Sequence, residues 1–471
     1  MESRRNAAWY CFLVAIALLP LSGCTLSGDA GSYDEARAIA EEAYIFAYPM
    51  LENYRMMQLQ AVATDSFNRF VHASELPVPP AKEASAAAGG VREQRDTLSS
   101  TAWLDLQAEP MVLVLPPIKD RYFSFQFVDI FTFNFAYVSP KTFGPAGGVF
   151  LIAGPDWNGR KPRGVDAVFR SEGNFVMCIG RTAVDGPEDL DSVRALQQRY
   201  VLKPLSSWLG VPAPKAPPRD PFPLYMRIAA DSAHFISYLN FLLGQSRPHP
   251  SEEQLFERFG LVGIGPSYRF DANEFNGTIR DAIDDAVASA LQQIEEAQVL
   301  LCEKSNGWAV YRRVFGDRER MQGLYLVRAA AARTMLYGAD QEETTIINAF
   351  LDEDGDPLDA SAHSYVLKFE KDELPQVEAF WSLTMYALPG QNLVENPLER
   401  YTLGSRSSSL VYGADGSLTI YIGARSPRGS NEANWLPAPE GPFSPTLRMY
   451  LPMTIPGTPQ YVPPPIRKAT W

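Results

Sequence analysis

The chain has 471 residues, of which 46% are hydrophobic and 12% aromatic, and its formal net charge is −13. This length predicts two or three domains, and this composition excludes a disordered chain, because enough apolar surface is present to form buried cores. The acidic charge argues against binding to nucleic acid or to anionic lipid surfaces, which carry charge of the same sign. The 38 prolines and 33 glycines are typical of many short strands joined by turns.

Residues 1–23 are predicted to be a signal peptide. Two arginines precede the apolar stretch Trp9–Leu19, which is too short to span a bilayer because a spanning helix needs about 20 residues. A Leu-Ser-Gly-Cys sequence ending at Cys24 resembles the bacterial lipoprotein signal, so we expect Cys24 to be lipidated. A plain secretory signal is the alternative. Thr25 rather than an aspartate follows the cysteine, so we expect a protein anchored by lipid to the outer membrane, with residues 24–33 as a tether.

Cysteines and histidines give no sign of a metal site or a cofactor. With Cys24 acylated, Cys178 and Cys302 could form one disulfide in an oxidising periplasm. Both lie in apolar surroundings, so we favour two unpaired buried thiols. The four histidines are scattered without metal-ligand spacing. The acidic stretch Asp352–Gly355 is shorter than a twelve-residue EF-hand loop, and we interpret it as a turn rather than a calcium site.

Residues 34–202 are predicted to form an N-terminal helix and a first β domain. Alanines and aromatic residues recur at helical spacing from Asp34 onward, with a kink or a break expected at Pro49. The stretch Arg121–Tyr137 places seven aromatic residues on one parity and predicts a long strand. Because the stretch is longer than a usual strand, we expect a bulge or a bend beside Asp129.

Asp129 interrupts this aromatic parity, so we expect a buried carboxylate. A buried carboxylate needs hydrogen bonds or an arginine, and Arg121 and Arg181 are the predicted partners. Such a setting raises the pKa of a carboxyl group, so Asp105, Asp129, Arg121 and Arg181 are candidate catalytic residues. The alternative is that Asp105 caps a turn and that Asp129 is a satisfied ion of the core.

Residues 203–340 begin with a proline-rich linker and are otherwise predicted to be helical, with the clearest apolar stripe over Asn276–Cys302. Residues 341–471 are predicted to form a C-terminal β domain. Three runs there alternate with period two, and each has one apolar face and one face of hydroxyls and tyrosines: Trp381–Tyr386, Ser417–Ile422 and Thr446–Leu451.

Side chains on these polar faces form a candidate ligand-binding surface: Tyr386, Tyr421, Arg448 and Tyr450. Arginine binds a carboxylate or sulfate through paired hydrogen bonds, and tyrosines add hydroxyls and contact area. Trp435, beside a proline turn, is a further candidate that would stack a sugar or an aromatic ligand. The alternatives are a packed plug for Trp435 and a solvated or interdomain face for the other residues.

Two sets of motifs resemble a bacterial two-domain family of envelope proteins. The first set resembles domain of unknown function 1254: Asp96-Thr-Leu, Ala102–Leu106, Glu109-Pro, Arg121-Tyr, Gly154-Pro with Trp157, and Gly180-Arg. The second set resembles domain of unknown function 1214: Phe380–Tyr386, Asn396-Pro, Arg400-Tyr, Ala414–Gly416, Asn434–Pro439, Leu447-Arg with Tyr450, and Pro463–Pro465. Where the family usually has Asn-x-Asp-Thr-Leu-Tyr-Ser, this chain has Gln94 and Ser99, so a ligand contact made by the usual residues would be altered here.

The resemblance implies an α+β, β-rich fold: two antiparallel β-sandwich regions, jelly-roll-like, with an intervening helical segment. No nucleophile elbow, Ser or Cys near a His, or HExxH motif occurs, so a serine hydrolase or metallohydrolase lacks support. We expect a lipid-anchored envelope protein that binds a small-molecule or glycan-like ligand, or a partner, on its β domains. The alternative is a metal-independent envelope enzyme, a lyase or hydrolase, that uses carboxylate, arginine and tyrosine residues.

Overall fold

The computed structural model describes residues 32–80, 92–218, 221–266, 268–271, 275–453 and 461–471. The predicted signal peptide, Cys24 and most of the tether lie outside the described residues. The described part of the chain folds into two β-sandwiches and a layer of helices, so the predicted α+β class is confirmed. Among the described residues, no helix is both long enough and apolar enough to cross a membrane.

The N-terminal half supplies the strands of the first sandwich: β1 (Val71–His72), β2 (Thr97–Asp105), β3 (Met111–Leu115), β4 (Phe123–Val128), β5 (Asn134–Val138), β6 (Gly148–Ala153), β7 (Ala167–Arg170), β8 (Phe175–Ala183) and β9 (Val201–Pro204). One sheet has the order β1-β2-β8-β4-β5, and the other has the order β7-β6-β3-β9. Neighbours are antiparallel except β6 and β7. Apolar residues from both sheets meet in one core, including Leu104, Leu113, Phe125, Phe150 and Val176.

The aromatic stretch 121–137 forms a hairpin rather than one long strand, and the irregularity expected beside Asp129 is present as a register shift between Phe127 and Val128. β4 and β5 pair antiparallel, and the chain reverses through a turn in which Asp129 N donates to Phe133 O and Thr132 adopts a φ of 70°. The predicted parity holds within β4, whose phenylalanines lie in the sandwich core. Within the turn the aromatic residues pack elsewhere, because Phe131 and Phe133 lie in the core of the helical layer, whereas Phe135 on β5 packs against the sandwich core again.

The C-terminal part supplies the strands of the second sandwich: β10 (Cys302–Ser305), β11 (Trp308–Tyr311), β12 (Thr344–Ala349), β13 (Ser364–Phe369), β14 (Val377–Ala387), β15 (Asn392–Leu393), β16 (Thr402–Gly404), β17 (Leu418–Gly423), β18 (Trp435–Pro437), β19 (Phe443–Pro452) and β20 (Ile466–Ala469). One sheet has the order β10-β11-β12-β19-β14-β15, with β16 also on β14, and the other has the order β18-β17-β13-β20. The three predicted alternating runs are strands β14, β17 and β19. Their apolar faces meet in one core, which includes Leu383, Ile420 and Leu447.

The described residues also form these α-helices: α1 (Tyr33–Met57), α2 (Pro140–Phe143), α3 (Leu190–Gln197), α4 (Leu205–Leu209), α5 (Arg227–Ala230), α6 (Phe235–Leu243), α7 (Glu253–Gly260), α8 (Gly277–Glu296), α9 (Arg318–Met321) and α10 (Tyr325–Met335). The buried residues of α1 share one core with those of α6, α8 and α10. The apolar stripe predicted on α8 is confirmed, since Ile279, Ile283, Val287, Ala290 and Ile294 are all buried.

Helix α1 is continuous through Pro49, so the predicted break does not occur. Ser32 caps its start by accepting a hydrogen bond from the backbone nitrogen of Glu35. Pro49 and both of its neighbours in the chain are buried in the helical core. Packing of this buried face offsets the backbone hydrogen bond that a proline cannot make.

The cysteines Cys178 and Cys302 are both free, as favoured from the sequence. Cys178 lies in the core of the first sandwich, where burial raises the pKa of its thiol. Cys302 is only half-buried, at the start of β10 on the edge of its sheet, so its predicted full burial is wrong.

Candidate functional site

Three of the four candidate catalytic residues each have a separate structural partner. Asp105 Oδ1 accepts a hydrogen bond from the backbone nitrogen of Gln107 and caps the turn that follows β2. Arg121 forms an ion pair with Asp189 at 2.5 Å. Arg181 donates from Nη1 to Oε1 of Gln126 at 2.7 Å. These contacts do not bring the three side chains into one site.

Asp129 is buried, with 1% of its surface exposed, and its Oδ1 accepts a hydrogen bond of 2.9 Å from the backbone nitrogen of Phe133. The arginines whose charges act on it are Arg318 and Arg328, not the predicted Arg121 and Arg181. The reason is the hairpin: the turn between β4 and β5 directs Asp129 toward the helical layer, whereas a continuous strand would have kept it within the sandwich.

Burial raises the pKa of Asp129 to about 7, and the negative charge of Glu172 acts in the same direction. The guanidinium of Arg328 lies 3.9 Å from the centre of the Phe133 ring, and burial lowers its pKa to about 10. The adjoining cavity, which Arg328 and Thr132 line, has a volume of about 10 Å³. Since this volume holds roughly one water molecule, we assign a buried ion cluster here rather than a substrate site.

The candidate ligand-binding residues of the C-terminal domain fall into two groups. Tyr386, Arg448 and Tyr450 lie on the paired strands β14 and β19. Tyr421 lies on β17 in the opposite sheet, where its ring packs against Trp471 at 5.6 Å. Trp435 is buried and donates from Nε1 to the backbone oxygen of Gly423, as expected for a packed plug. Tyr421 and Trp435 therefore do not join the other three residues.

The polar face of β14 and β19 is an interdomain face, which was one of the alternatives considered from the sequence. It packs against residues 92–97, the segment that leads into β2 of the first sandwich. We call the resulting group of side chains, buried except for the half-buried Arg92, the interdomain polar network: Arg92, Asp96, Ser382, Tyr386, Arg448 and Tyr450.

Asp96 is the carboxylate of this network. Its Oδ2 accepts hydrogen bonds from the Ser382 hydroxyl at 2.7 Å and from the Tyr450 hydroxyl at 3.0 Å. Burial raises the pKa of Tyr450 well above its usual value, and the charge of Asp96 acts in the same direction. The phenol therefore keeps its proton and remains a donor at neutral pH.

Arg448 is almost fully buried, with 5% of its surface exposed. Its Nη2 donates to the Tyr386 hydroxyl at 3.0 Å and to the backbone oxygen of Arg92 at 3.3 Å. Its Nη1 is buried and has no hydrogen-bond partner within the described chain. The Tyr386 hydroxyl donates a hydrogen bond to the backbone oxygen of Glu93. It therefore accepts from Arg448 and donates to the segment that leads into the first sandwich.

Arg92 is a second cation of the network, half-buried, and its hydrogen-bond partners are neutral groups. Its Nη1 donates to the Thr446 hydroxyl at 2.6 Å and to Oδ1 of Asn348 at 3.1 Å, while Nη2 donates to the Ser444 hydroxyl at 3.0 Å. Burial lowers the pKa of Arg92 to about 10, and the charge of Arg448 acts in the same direction. The guanidinium carbons of the two arginines lie 5.4 Å and 5.6 Å from the centre of the Tyr386 ring.

The charges of this network do not balance. In the part of the chain that the structure describes, no carboxylate lies within 4.0 Å of either Arg92 or Arg448. Asp96 acts on Arg448 through its charge but forms its hydrogen bonds with hydroxyls. Two desolvated guanidinium groups thus face one carboxylate, which leaves the network with a net positive charge.

Aromatic rings close one end of the network. Phe380 and Tyr450 stack with their ring centres 4.2 Å apart, and Tyr122 packs on Tyr450 at 5.2 Å. Arg406 covers Phe380, with its guanidinium carbon 3.6 Å from the ring centre, and forms an ion pair with Asp185 at 2.5 Å. These groups exclude water, and hydrogen bonds and charges are stronger where water is excluded.

The acidic turn at residues 352–356 carries its own counter-charge. The carboxylates of Asp352, Asp354 and Asp356 come within 4.8 Å of one another. The Lys468 ammonium lies 3.2 Å, 3.1 Å and 2.6 Å from them. We therefore assign this turn as an ion-paired structural element.

Two family models match the chain, one over the first sandwich and the other over most strands of the second. The model described as "Protein of unknown function (DUF1254)" matches residues 67–204, and that described as "Protein of unknown function (DUF1214)" matches residues 343–454. The chain belongs to the family that combines these two domains. Asp96 lies in the DUF1254 region, and Ser382, Tyr386, Arg448 and Tyr450 lie in the DUF1214 region. The interdomain polar network therefore joins the motifs by which the two domains were recognised.

A solved structure shares this fold. The VPA0106 protein from Vibrio parahaemolyticus is similar with a TM-score of 0.75 and 25% identity, over 92% of this chain and 100% of that one. An uncharacterized protein from Burkholderia cenocepacia aligns at a TM-score of 0.41 and 12% identity, over 93% of this chain and 94% of that one. A search of the curated proteins found no match.

Sequence reasoning missed Arg92, Asn348 and the role of Asp96. Asp96 and Ser382 could have been found, because both belong to motifs that carried the family resemblance. Arg92 gave no signal, since an arginine between a loop and a strand is common on protein surfaces. Only its burial between the sandwiches distinguishes it from other arginines.

Proposed function

We propose that the protein is a lipid-anchored protein of the outer membrane that binds a small anionic ligand between its two sandwiches. The ligand carries a carboxylate, sulfate or phosphate group, either on a small molecule or on a glycan. The observation that carries this proposal is the buried Nη1 of Arg448, which has no partner in the described chain, close to the second guanidinium group, that of the half-buried Arg92.

Burial of an unpaired cation is unfavourable by several kcal/mol, which makes this arrangement costly without an anion. Tyr386 and a backbone oxygen satisfy Nη2 of Arg448 but leave Nη1 free. An anionic group bound there would accept a charge-assisted hydrogen bond from Nη1 and lower the repulsion between the two arginines.

Arg92 connects this network with the protein surface. It is half-buried, and its guanidinium carbon lies 5.4 Å from the ring centre of Phe350, of which 37% is exposed. A ligand that approaches along Phe350 meets Arg92 before Arg448. This route supports a site that a small molecule enters from the edge of the interface.

The dispersion of the candidate catalytic residues favours binding over catalysis. Asp105 caps a turn, Arg121 forms an ion pair, and Arg181 donates to an amide. The cavity that Arg328 lines in the ion cluster of Asp129 holds about one water molecule. The alternative of a metal-independent lyase or hydrolase requires such groups to face a common substrate space.

The membrane attachment in this proposal depends on Cys24. A chain with a formal charge of −13 is repelled by anionic lipid headgroups, so a covalent lipid would have to supply the attachment. One acyl chain binds a membrane only weakly, and stable anchoring takes more than one hydrophobic chain.

The test is a titration of the purified protein with sulfate, phosphate and acetate at constant ionic strength, with chloride as the reference anion. We expect at least one of these anions to raise the free energy of unfolding in a saturable way, by about 2.7 kcal/mol at a hundred times its Kd. Isothermal titration calorimetry measures the same Kd directly. The absence of any stabilisation beyond that of chloride would contradict the proposal.

The matched control is another interdomain arginine. Arg448→Met removes the cation and keeps most of its volume, so the anion effect should disappear. Arg406→Met removes a cation that already has Asp185 as its partner, so the anion effect should remain. If Arg448→Met does not fold, Arg92→Met tests the second cation of the same site.

A further inference from the structure

A second cavity lies at the C-terminal end of α1, on the edge of the first sandwich. Its volume is about 310 Å³, and its walls include Gln60, Ser66, Arg69, Val71, Thr101 and Trp103. Small-molecule sites measure about 300–1,000 Å³, so this cavity has the size for a ligand such as a monosaccharide. Its walls combine apolar surface with several hydrogen-bonding groups. The interdomain site proposed above does not include these residues, and the description of the matching family assigns them no role.

An irregular segment of backbone builds one wall of the cavity. Helix α1 ends in a π-helical turn at Gln58–Val62, and Asp65 and Asn68 then adopt φ values of 48° and 61°. The side chain of Asn68 fixes this segment to β2, because its Oδ1 accepts from the nitrogen of Asp105 and its Nδ2 donates to the oxygen of Asp105. π-helical turns and left-handed non-glycine residues are costly and occur often at functional sites.

Trp103 fixes the orientation of the Gln60 amide. The indole nitrogen can only donate, and it donates to Oε1 of Gln60 at 3.0 Å. The Nε2 of Gln60 therefore points its two hydrogens away from Trp103, and it has no hydrogen-bond partner among the described residues. An oriented amide thus offers donors to whatever occupies the cavity.

Arg69 gives the cavity its charge. Its side chain is exposed, donates to the backbone oxygen of Asp65, and has no carboxylate within 4.0 Å in the described chain. No aspartate or glutamate lines the cavity. The guanidinium is therefore positioned by the backbone and remains available to an anionic group.

Two hydroxyls supply acceptors. The hydroxyls of Thr64 and Ser66 lie 2.8 Å and 2.7 Å from the backbone oxygen of Gln60 and 2.6 Å from each other. Because these contacts use the single hydrogen of each hydroxyl, the hydroxyls can offer only lone pairs to a ligand. Hydroxyl groups of a ligand are suitable donors to them.

We infer that this cavity binds an acidic monosaccharide, a uronate-like sugar or sugar residue that carries a carboxylate. The carboxylate accepts from Arg69 and from Nε2 of Gln60, and the sugar hydroxyls donate to Thr64 and Ser66. Val71, of which 58% is exposed, offers an apolar surface for the face of the sugar ring. This inference does not rest on the interdomain site, since Trp103 lies seven positions along β2 from Asp96, about 23 Å at strand spacing.

The experiment is isothermal titration calorimetry of the full protein with glucuronate, galacturonate and glucose. We expect saturable binding of at least one uronate, with glucose at least about tenfold weaker because it lacks the charged group. Glucose that binds as well as both uronates would overturn the assignment of an acidic sugar. Failure of both uronates to bind would overturn the site itself.

Three variants locate the binding. Arg69→Ala removes the cation from an exposed position, and Gln60→Glu keeps the acceptor for Trp103 while it replaces the free donors with a negative charge. Each should weaken uronate binding about tenfold or more. Arg160→Ala removes an exposed arginine elsewhere on the first sandwich and should leave the affinity unchanged.

Uronate binding that survives both Arg69→Ala and Gln60→Glu would place the ligand elsewhere and overturn the inference. Equal weakening by Arg160→Ala would show a general effect of charge instead of a site. Arg448→Met separates the two proposals. This variant should lose anion binding at the interface between the sandwiches and should keep uronate binding at this cavity.

Discussion

The hydroxyl of Tyr450 donates a hydrogen bond of 3.0 Å to Oδ2 of Asp96, and this bond joins β19 of the second sandwich to the segment that precedes β2 of the first. Both residues are buried, so the bond forms away from water. The two residues are more than three hundred positions apart in the chain, so the bond links a motif of one domain to a motif of the other.

Tyr450→Phe tests this bond. The ring stays in its stack with Phe380, whereas Asp96 loses one of its two hydroxyl donors. We expect the free energy of unfolding to fall by about 1–3 kcal/mol, the cost of a buried charged acceptor that loses a partner. Urea denaturation measures it, with the exposed Tyr412→Phe as the control. Equal stability of both variants would show that the bond contributes nothing.

Asp129→Asn should change how stability depends on pH. The folded-state pKa of Asp129 is about 7, above its usual 3.8, so the folded state binds this proton more tightly than the unfolded state. The contribution of this group to the stability of the wild type is therefore largest below pH 4, falls as the pH rises toward 7, and changes little above that. A pKa difference of about three units between the folded and unfolded states changes the free energy of unfolding by an amount on the order of 4 kcal/mol.

The Asn variant keeps an oxygen that accepts from Phe133 and cannot ionise. We expect it to match the wild type near pH 4–5 and to be the more stable protein at pH 8, as measured by urea denaturation at each pH. A variant less stable than the wild type at pH 8 would mean that Asp129 is ionised and favourably paired with Arg318 or Arg328 in the folded protein.

Arg318→Met should be strongly destabilising. Arg318 pairs with Glu172 at 2.5 Å and with Glu252 at 2.9 Å, and the Glu252 side chain is completely buried. Removal of the arginine leaves this carboxylate buried without its cation, which costs about 3–5 kcal/mol.

Arg320→Met is the matched control for that loss. Arg320 lies two positions further along α9 and pairs with Glu342 at 2.8 Å, but 52% of its side chain is exposed. Its removal should change the free energy of unfolding by no more than about 1 kcal/mol. Thermal or urea unfolding of both variants compares them directly, and similar losses would rule out a special role for the buried pair.

Cys24→Ser tests the lipid anchor. Metabolic labelling with a palmitate analogue should mark the wild type and leave the variant unlabelled, and only the wild type should fractionate with membranes. Cys302→Ser is the control, because this half-buried thiol lies outside the signal and its loss should not affect the label. Labelling of the Cys24→Ser variant would show that the anchor is elsewhere.

Local patterns in the sequence predicted the elements whose side chains alternate or recur within one segment. The apolar stripe of α8 and the period-two runs of β14, β17 and β19 are correct, because successive residues of a helix or strand take fixed directions about its axis. The same rule placed Tyr386, Arg448 and Tyr450 on the polar faces of their strands. For the aromatic stretch 121–137 this rule predicted a single strand, which is wrong, because a reversal of the chain between two strands can preserve an alternating pattern.

The tertiary structure decided which faces meet. It put Tyr421 in the sheet opposite Arg448, brought Arg92 and Asp96 from the first sandwich to complete the interdomain polar network, and directed Asp129 to Arg318 and Arg328. These pairings join segments far apart in the chain, and they depend on how the two sandwiches pack. Since residue direction is local whereas the packing of sheets is a property of the whole chain, the sequence alone determined the faces but not their partners.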